Sequence, residues 1–308
     1  MLRVGVIMGG DSSEREVSLM TGREIISHLD PAKYEVRPIE ITRKRDLPQQ
    51  LAGIDMAVIA LHGKYGEDGT IQGTLETLGV PYTGSGVLAS SLCMDKNTAK
   101  KLLRYEGVET PDWTLLTSPD ELENVLASEP LYPLVVKPNS GGSSVGVTLA
   151  RDEQSLREAV ERAFHWDDEV ILEQYIEGEE ITCSLLNGEY LPVLAIKPNG
   201  EFFDYTSKYE EGECEEVVAS LDPDTAERVR RAAELSCRVL KCSVYARVDV
   251  MLHQGIPYVM EVNTLPGMTR TSLLPKSAQA AGLSFSALLD RIIEGSLAER
   301  RREYGLVV

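Results

Sequence analysis

Four polar residues near the carboxyl end of the chain have the types and spacing that chemistry needs. Arg247 and Asp249 stand two apart in "SVYARVDVML", and Glu261 and Asn263 stand two apart in "IPYVMEVNT". Residues two apart on a strand share a face. The intervening "HQGI" reads as a tight turn, which makes the two strands antiparallel neighbours. A guanidinium, two carboxylates and an amide then converge on one sheet face. Hard oxygen donors of this kind suit Mg²⁺ carrying a nucleotide phosphate. The competing reading is a salt-bridged outer face. It accounts poorly for the apolar residues that alternate with these four and for the loop "NTLPGMT" that follows at once.

A second feature lies mid-chain. "LVVKPNSGGSSVGV", Leu134 to Val147, runs from an apolar strand through Lys137 into a loop of glycines and serines. Because strands flank it on both sides, it reads as a flap over phosphate rather than a linker. Its glycines let backbone N–H groups approach phosphate oxygens. Lys137 and Lys96 are the candidate phosphate charges, and Ser143 and Ser144 add hydroxyls at the loop tip. No GxxxxGK[ST] loop and no kinase signature set occurs in the chain, so a triphosphate must be held another way.

The amino-terminal motifs are less specific. In "GVIMGGDSSERE" the glycines fall at Gly5, Gly9 and Gly10, outside the GxGxxG spacing of dinucleotide sites. Glu14 has two readings: a partner of the helix dipole, or a ligand for an amine at the strand-end crevice. "LHGKYGEDGTIQG" sets His62, Glu67 and Asp68 in a loop after a buried strand, where functional loops of parallel sheets lie. For His62 alone, a plain turn is the simpler reading.

These residues need a scaffold, and the patterning supplies one. Strands at "LRVGVIMGG", "YEVRPIEI", "IDMAVIAL" and "VPYTG" alternate with helices, which predicts a parallel sheet over residues 1–93. Residues 94–178 begin with a helix through "CMDKNTAKKLLRYEG", ended by Gly107. They continue with strands at "DWTLLT", "PLVVKP", "SVGVTLA" and "EVILEQYI". Residues 179–308 open on an Asn-Gly hairpin in "EITCSLLNGEYLPVLAIKP". A polar stretch, Asp204 to Val217, comes next, then a long helix and the strand pair described first. "ERRREYG" reads as a solvated helix end. With 308 residues, several domains are expected. The formal net charge of −18 argues against nucleic acid and anionic membrane as partners. Five scattered cysteines without a CxxC pair point to a reducing compartment, and no apolar run reaches membrane-spanning length. A cytoplasmic location is expected.

Taken together, the chain resembles the D-alanine–D-alanine ligases of the ATP-grasp superfamily. The resemblance rests on eight collinear segments: "GGDSSEREVS", "LHGKYGEDGTIQG", "YTGSGVLASSLCMDK", "VVKPNSGGSSVGV", "LEQYIEGEE", "DYTSKY", "ARVDV" and "MEVNTLPGMTRTSLLP". It implies a Rossmann-like parallel-sheet domain and two α+β domains that sandwich ATP. It also implies roles. Lys96 and Lys137 would bind phosphates, together with Ser144. Glu173, Tyr175 and Ile176 would hold adenine, and Glu180 the ribose. Asp249, Glu261 and Asn263 would hold two Mg²⁺ ions, with Mn²⁺ as a substitute. Glu14 would bind the ammonium of the first D-alanine, in a site that includes His62. Arg247 and the Gly267 N–H would form the oxyanion site. Ser272, with Leu273, would anchor the second carboxylate. Ser143 and Tyr209 would link to Glu14, and Lys208 would ride a closing lid, "YTSKYEEGECEE". A homodimer is the expected assembly.

The implied reaction joins two D-alanines through an acyl phosphate at the expense of ATP, supplying a peptidoglycan precursor. Related enzymes often carry lysine where this chain has Gln174, and a smaller residue where it has Tyr65. A D-alanine–D-lactate ligase is the near alternative. "SKY" favours the dipeptide, because relatives that use lactate typically lack the Lys-Tyr pair. A nicotinamide-dependent oxidoreductase is the alternative of another class, and it leaves the Arg247, Asp249, Glu261 and Asn263 set unexplained.

Overall fold

A computed structural model describes residues 1–12, 14–142, 145–198 and 214–303. The first apolar run is β1 (Leu2–Gly9), buried from Val4 to Gly9, as a strand covered on both faces must be. It pairs in parallel with β2 (Tyr34–Ile41) and β3 (Met56–Ile59), giving the order β2-β1-β3. Helix α1 (Arg15–His28) packs on β1. Two short helices follow, α2 (Leu47–Gln50) and α3 (Thr70–Thr77). The fourth strand expected at "VPYTG" is only a bridge between Ala57 and Tyr82. The ladder stops there because Ile59 N donates to the Thr83 hydroxyl at 3.0 Å instead of to a backbone carbonyl.

The helix expected to run unbroken to Gly107 is two helices, α4 (Val87–Met94) and α5 (Lys96–Tyr105). Asp95 leaves helical space (φ −85°, ψ 98°), and its carboxylate accepts from Thr98 N at 2.8 Å. That is an N-cap, and it sets Lys96 at the first position of a new helix.

The central antiparallel sheet comprises β4 (Trp113–Leu116), β5 (Leu134–Pro138), β6 (Thr148–Ala150) and β7 (Val170–Gln174), in the order β4-β7-β5-β6. Helices α6 (Leu122–Ala127) and α7 (Glu153–Ala163) accompany it. Of the strand expected at "SVGVTLA", only Thr148–Ala150 pairs with β5.

The third sheet has β8 (Glu179–Leu186), β9 (Glu189–Tyr190), β10 (Leu194–Pro198), β11 (Cys214–Val218), β12 (Tyr245–His253) and β13 (Ile256–Asn263). Its path is β11-β10-β8-β12-β13, with β9 on β8 and α8 (Pro223–Val239) packed against it. The turns at Asn187-Gly188 (φ 52° and 80°) and Gln254-Gly255 (φ 49° and 77°) take left-handed backbone at both central residues, the geometry that suits a twisted hairpin. The end of the polar stretch expected as a lid is strand β11, and most of that stretch, including Lys208 and Tyr209, lies outside the described residues.

Helices α9 (Leu273–Ala280) and α10 (Phe285–Glu303) close the chain. Leu288, Leu289, Ile292 and Ile293 join the core of the first sheet. The expectation of a solvated end fails at Arg300. That residue is 1% exposed, lies over the Tyr82 ring at 3.9 Å and donates to Gly84 O at 2.6 Å.

Candidate active site

The glycine loop is held at its base by α5. Lys96 N donates to Asn139 O at 3.2 Å, Asn97 N to Asn139 Oδ1 at 2.8 Å, and Lys96 Nζ to Gly141 O at 2.7 Å. Ser140 N is fixed by Asp167 Oδ2 at 2.6 Å. A linker would not be stapled in this way. Below the loop, Glu173 is fully buried on β7. It meets Lys137 Nζ on one oxygen and Lys100 Nζ on the other, each at 2.6 Å. Lys100 also donates to Thr110 Oγ1 at 2.6 Å. Burial pushes Lys100 down to about 8, against the pull of Glu173. Burial also pushes Glu173 upward, but Lys137 and Lys100 outweigh it and hold the carboxyl below its ordinary range. Lys96 is lowered by burial, and Glu261, 3.8 Å away, opposes this.

These groups wall a cleft of about 900 Å³, partly open to solvent. Lys96, Lys137, Glu173, Tyr175, Ile176, Glu180, Asp249 and Glu261 all line it. Val135, Val147, Met251 and Met260 give it apolar sides. Flat apolar walls with cations at one end suit a nucleotide.

β12 and β13 are antiparallel neighbours as expected, and a one-residue shift in the ladder between Asp249 and Val250 sets Arg247 opposite Asn263 and Asp249 opposite Glu261. Asp249 also faces Thr182 on β8. Its oxygens accept from Arg247 Nε and Nη2, both at 2.8 Å, from Thr182 Oγ1 at 2.7 Å and from Asn263 Nδ2 at 3.0 Å. The fork is bidentate, the strongest carboxylate geometry arginine offers. Burial acts to lower Arg247, but Asp249 dominates and raises it. Among the described residues no three His, Cys, Asp or Glu side chains gather as a ready metal cage. The donor set here is two carboxylates and an amide.

A second cleft, open to solvent and about 1,640 Å³ with that open space included, adjoins the first, and both include Gly142 and Glu261 in their walls. Glu14, His62, Glu67, Arg247, Asn263, Gly267, Ser272 and Leu273 line it. Glu14 is buried at the start of α1, and the Gly63 turn lies against it. A Cβ on Gly63 (φ +71°) would sit 2.6 Å from Glu14 Oε2, so the turn needs glycine. Glu67 accepts from Gly63 N at 2.6 Å. Burial, then the charge of Glu14, pushes Glu67 up to about 8. His62 bonds Thr21 Oγ1 at 3.1 Å, and burial followed by Arg247 pushes it down to about 4, so it is neutral. On the opposite wall, Ser272 precedes α9 and its hydroxyl bonds Thr269. A Cβ on Gly267 would lie 2.9 Å from Ser272 Oγ, so a side chain there would crowd the Ser272 hydroxyl.

The fold therefore brings Lys96, Lys137, Glu173, Tyr175, Ile176 and Glu180 to one chamber. It brings Glu14, His62, Arg247, Asn263, Gly267, Ser272 and Leu273 to the other, with Asp249 on the nucleotide side and Glu261 between them. Ser143 and Ser144 lie outside the described residues. Asp68 does not reach either chamber's lining: it accepts from Tyr65 N and Thr70 N and shapes the turn into α3. Lys100 and Thr182 are groups that sequence reasoning left out of the site, and Glu67 was named there only as part of its loop, with no role. Lys100 stands four residues after Lys96 on one helix, and that spacing was the available signal.

Two antiparallel sheets closing on a lysine-lined cleft, with a parallel-sheet domain walling the adjoining chamber, define an ATP-grasp protein. Family models described as "D-ala D-ala ligase C-terminus" and "D-ala D-ala ligase N-terminus" match residues 101–294 and residues 3–50 and 44–85. A D-alanine–D-alanine ligase of Bacillus anthracis is 57% identical over 98% of this chain and 99% of its own length. One from Clostridium botulinum is 51% identical over 97% and 100%. A crystal structure of the Bacillus anthracis D-alanine–D-alanine ligase complexed with ATP superposes with a TM-score of 0.88 at 54% identity. It covers 98% of this chain and 100% of that one. The VanG D-Ala:D-Ser ligase of Enterococcus faecalis gives 0.84 at 32% identity, covering 96% and 99%. The chain belongs to the D-alanine–D-alanine ligase family.

Proposed function

We propose that this protein condenses two D-alanines to D-alanyl-D-alanine with conversion of ATP to ADP and phosphate. The observation that carries the reading is the junction of the two chambers at Glu261 and Gly142. A carboxylate held in the second chamber lies beside a phosphate held in the first. Lys96 and Lys137 bind the phosphates, with Ser144 and Lys208 assigned the same task. Glu173, Tyr175 and Ile176 take the adenine, and Glu180 the ribose. Asp249, Glu261 and Asn263 have the hard donors that Mg²⁺ or Mn²⁺ requires, and phosphate oxygens and water would complete the shell of two ions. Bound there, the metal supplies charge neutralisation for phosphoryl transfer.

Glu14 pairs with the ammonium of the first D-alanine and orients its carboxylate toward the γ-phosphate. Attack gives an acyl phosphate and ADP. Ser272 and the Leu273 N–H, at the positive end of α9, hold the carboxylate of the second D-alanine. Its amine attacks the acyl carbon and phosphate leaves. Arg247 and the Gly267 N–H stabilise the oxyanion between these events. Water would hydrolyse the acyl phosphate, so Ser143, Tyr209 and the lid segment are assigned to exclude it. The product is a peptidoglycan precursor made in the cytoplasm by a homodimer. Among the described residues no helix is long and apolar enough to cross a membrane.

ADP release measured with D-alanine, L-alanine and D-lactate in turn tests the reading. Activity with D-alanine alone, and dipeptide as the product, is expected. Depsipeptide formation from D-alanine and D-lactate supplied together, at equal efficiency, would show the alternative ligase instead. Tyr209→Phe is expected to loosen the choice, and an unchanged preference removes Tyr209 from it.

A further inference from the structure

Cys93 meets two cysteines distant from it in sequence, Cys237 and Cys242, where α4 abuts the turn after α8. Cys93 Sγ lies 3.7 Å from Cys242 Sγ. Cys237 stands in the last turn of α8, and the Cys242 N–H donates to its carbonyl at 2.8 Å. Cys93 and Cys237 are buried, whereas Cys242 is partly exposed. None of the three lines the chambers, and no step above uses them.

We propose that Cys242 and Cys93 form a reversible disulfide when hydrogen peroxide reaches Cys242, and that this bond displaces Lys96. The Cys242 sulfur attacks one peroxide oxygen; an S–O bond forms, the O–O bond breaks, and the departing hydroxide leaves as water with the proton of the Cys242 thiol. The Cys93 sulfur then attacks the Cys242 sulfur, the S–O bond breaks, and the second oxygen leaves as water with the Cys93 proton. Two thiols are oxidised to one disulfide, and the peroxide is reduced to two waters. The neighbours favour Cys242 as the attacking group. Hydrogen bonds from Cys237 and Cys93 hold its thiol well below the usual range, while both neighbours are raised.

The surrounding backbone gives the bond a consequence. Lys241 and Val244 flank Cys242 with φ of 62° and 64°, a rare conformation for a β-branched residue. The turn is held by Ser243 N to Ser85 Oγ at 3.0 Å and Asn187 N to Val244 O at 2.5 Å. It cannot move freely toward Cys93. A disulfide needs sulfurs about 2.05 Å apart, so most of the closure falls on the last turn of α4. Cys93 is three residues before Lys96, whose ammonium holds the Gly141 carbonyl.

The test uses the whole protein treated with hydrogen peroxide, then denatured, alkylated and digested. Thiols should fall from five to three, with a Cys93–Cys242 linked peptide that dithiothreitol cleaves. Five remaining thiols, or a linkage confined to Cys237 and Cys242, overturns the proposal. Cys93→Ser should leave Cys242 as a trapped sulfenic acid, and Cys242→Ser should leave Cys93 unmodified. This chemical arm does not depend on the ligase reading. In the ligase assay the oxidised protein should show KM for ATP raised at least about threefold, restored by dithiothreitol and absent in Cys242→Ser. A disulfide that forms without changing KM overturns the link to Lys96.

Discussion

Replacing Lys100 by Met asks whether the Lys100–Glu173–Lys137 chain serves stability or ligand binding. The ammonium is 1% exposed and is held down to about 8 from 10.5, with the attraction of Glu173 already included. That difference corresponds to about 3 kcal/mol against carrying the charge at neutral pH. Methionine removes this cost and the ion pair together. It strands the Thr110 hydroxyl, at about 1–3 kcal/mol, and gives up the contact of Lys100 with the Trp113 ring, 5.1 Å away. The terms nearly cancel, so the unfolding free energy should change by no more than about 2 kcal/mol. Binding should respond differently. Glu173 would then spend its whole charge on Lys137, 2.6 Å away, and that lysine would have less to offer a phosphate. Loss of one charge-assisted hydrogen bond is about 1.5–3 kcal/mol, or roughly 10–100-fold in KM for ATP. Urea unfolding gives the first quantity, and ADP release at saturating D-alanine gives the second. A stability loss above about 4 kcal/mol, typical of a broken buried pair, or a KM within about twofold of the parent, refutes the reasoning.

Other substitutions probe the remaining groups. Glu261→Gln keeps the shape between the chambers but removes a hard donor, and ADP release should fall by about 10³-fold or more; retained activity would remove Glu261 from the metal set. Arg247→Lys loses the fork to Asp249, so kcat should fall by about 10²-fold with little change in KM for ATP; an effect on KM alone would place Arg247 in binding. His62 is buried and lowered to about 4 from 6.5. The unfolded chain therefore binds the proton first as pH falls, and stability present above about 6.5 is lost progressively toward 4. The loss between pH 7 and pH 5 should be about 2 kcal/mol. His62→Gln should remove that slope, and an unchanged slope in denaturant titrations would assign it elsewhere.

The sequence by itself determined whatever depends on near neighbours. The "HQGI" turn brings β12 and β13 together as neighbours, but the pairs Arg247–Asn263 and Asp249–Glu261 also need a one-residue bulge at Met260, which counting back from the turn does not reveal. Lys137 running from an apolar strand into the glycine loop was legible from near neighbours alone, and eight ordered segments carried the family. The break at Asp95 was harder to see, because helical periodicity continues across it and only the capping geometry ends one helix and starts the next. What tertiary structure alone decided involves groups distant in the chain. Lys100 meets Glu173 across 73 residues, Glu14 raises Glu67 from another loop, and α10 buries Arg300 against Tyr82 and Gly84. Charge in a sequence is uniform text. Burial and an opposing partner give each ionisable group its state, and both are set only when the sheets close on one another.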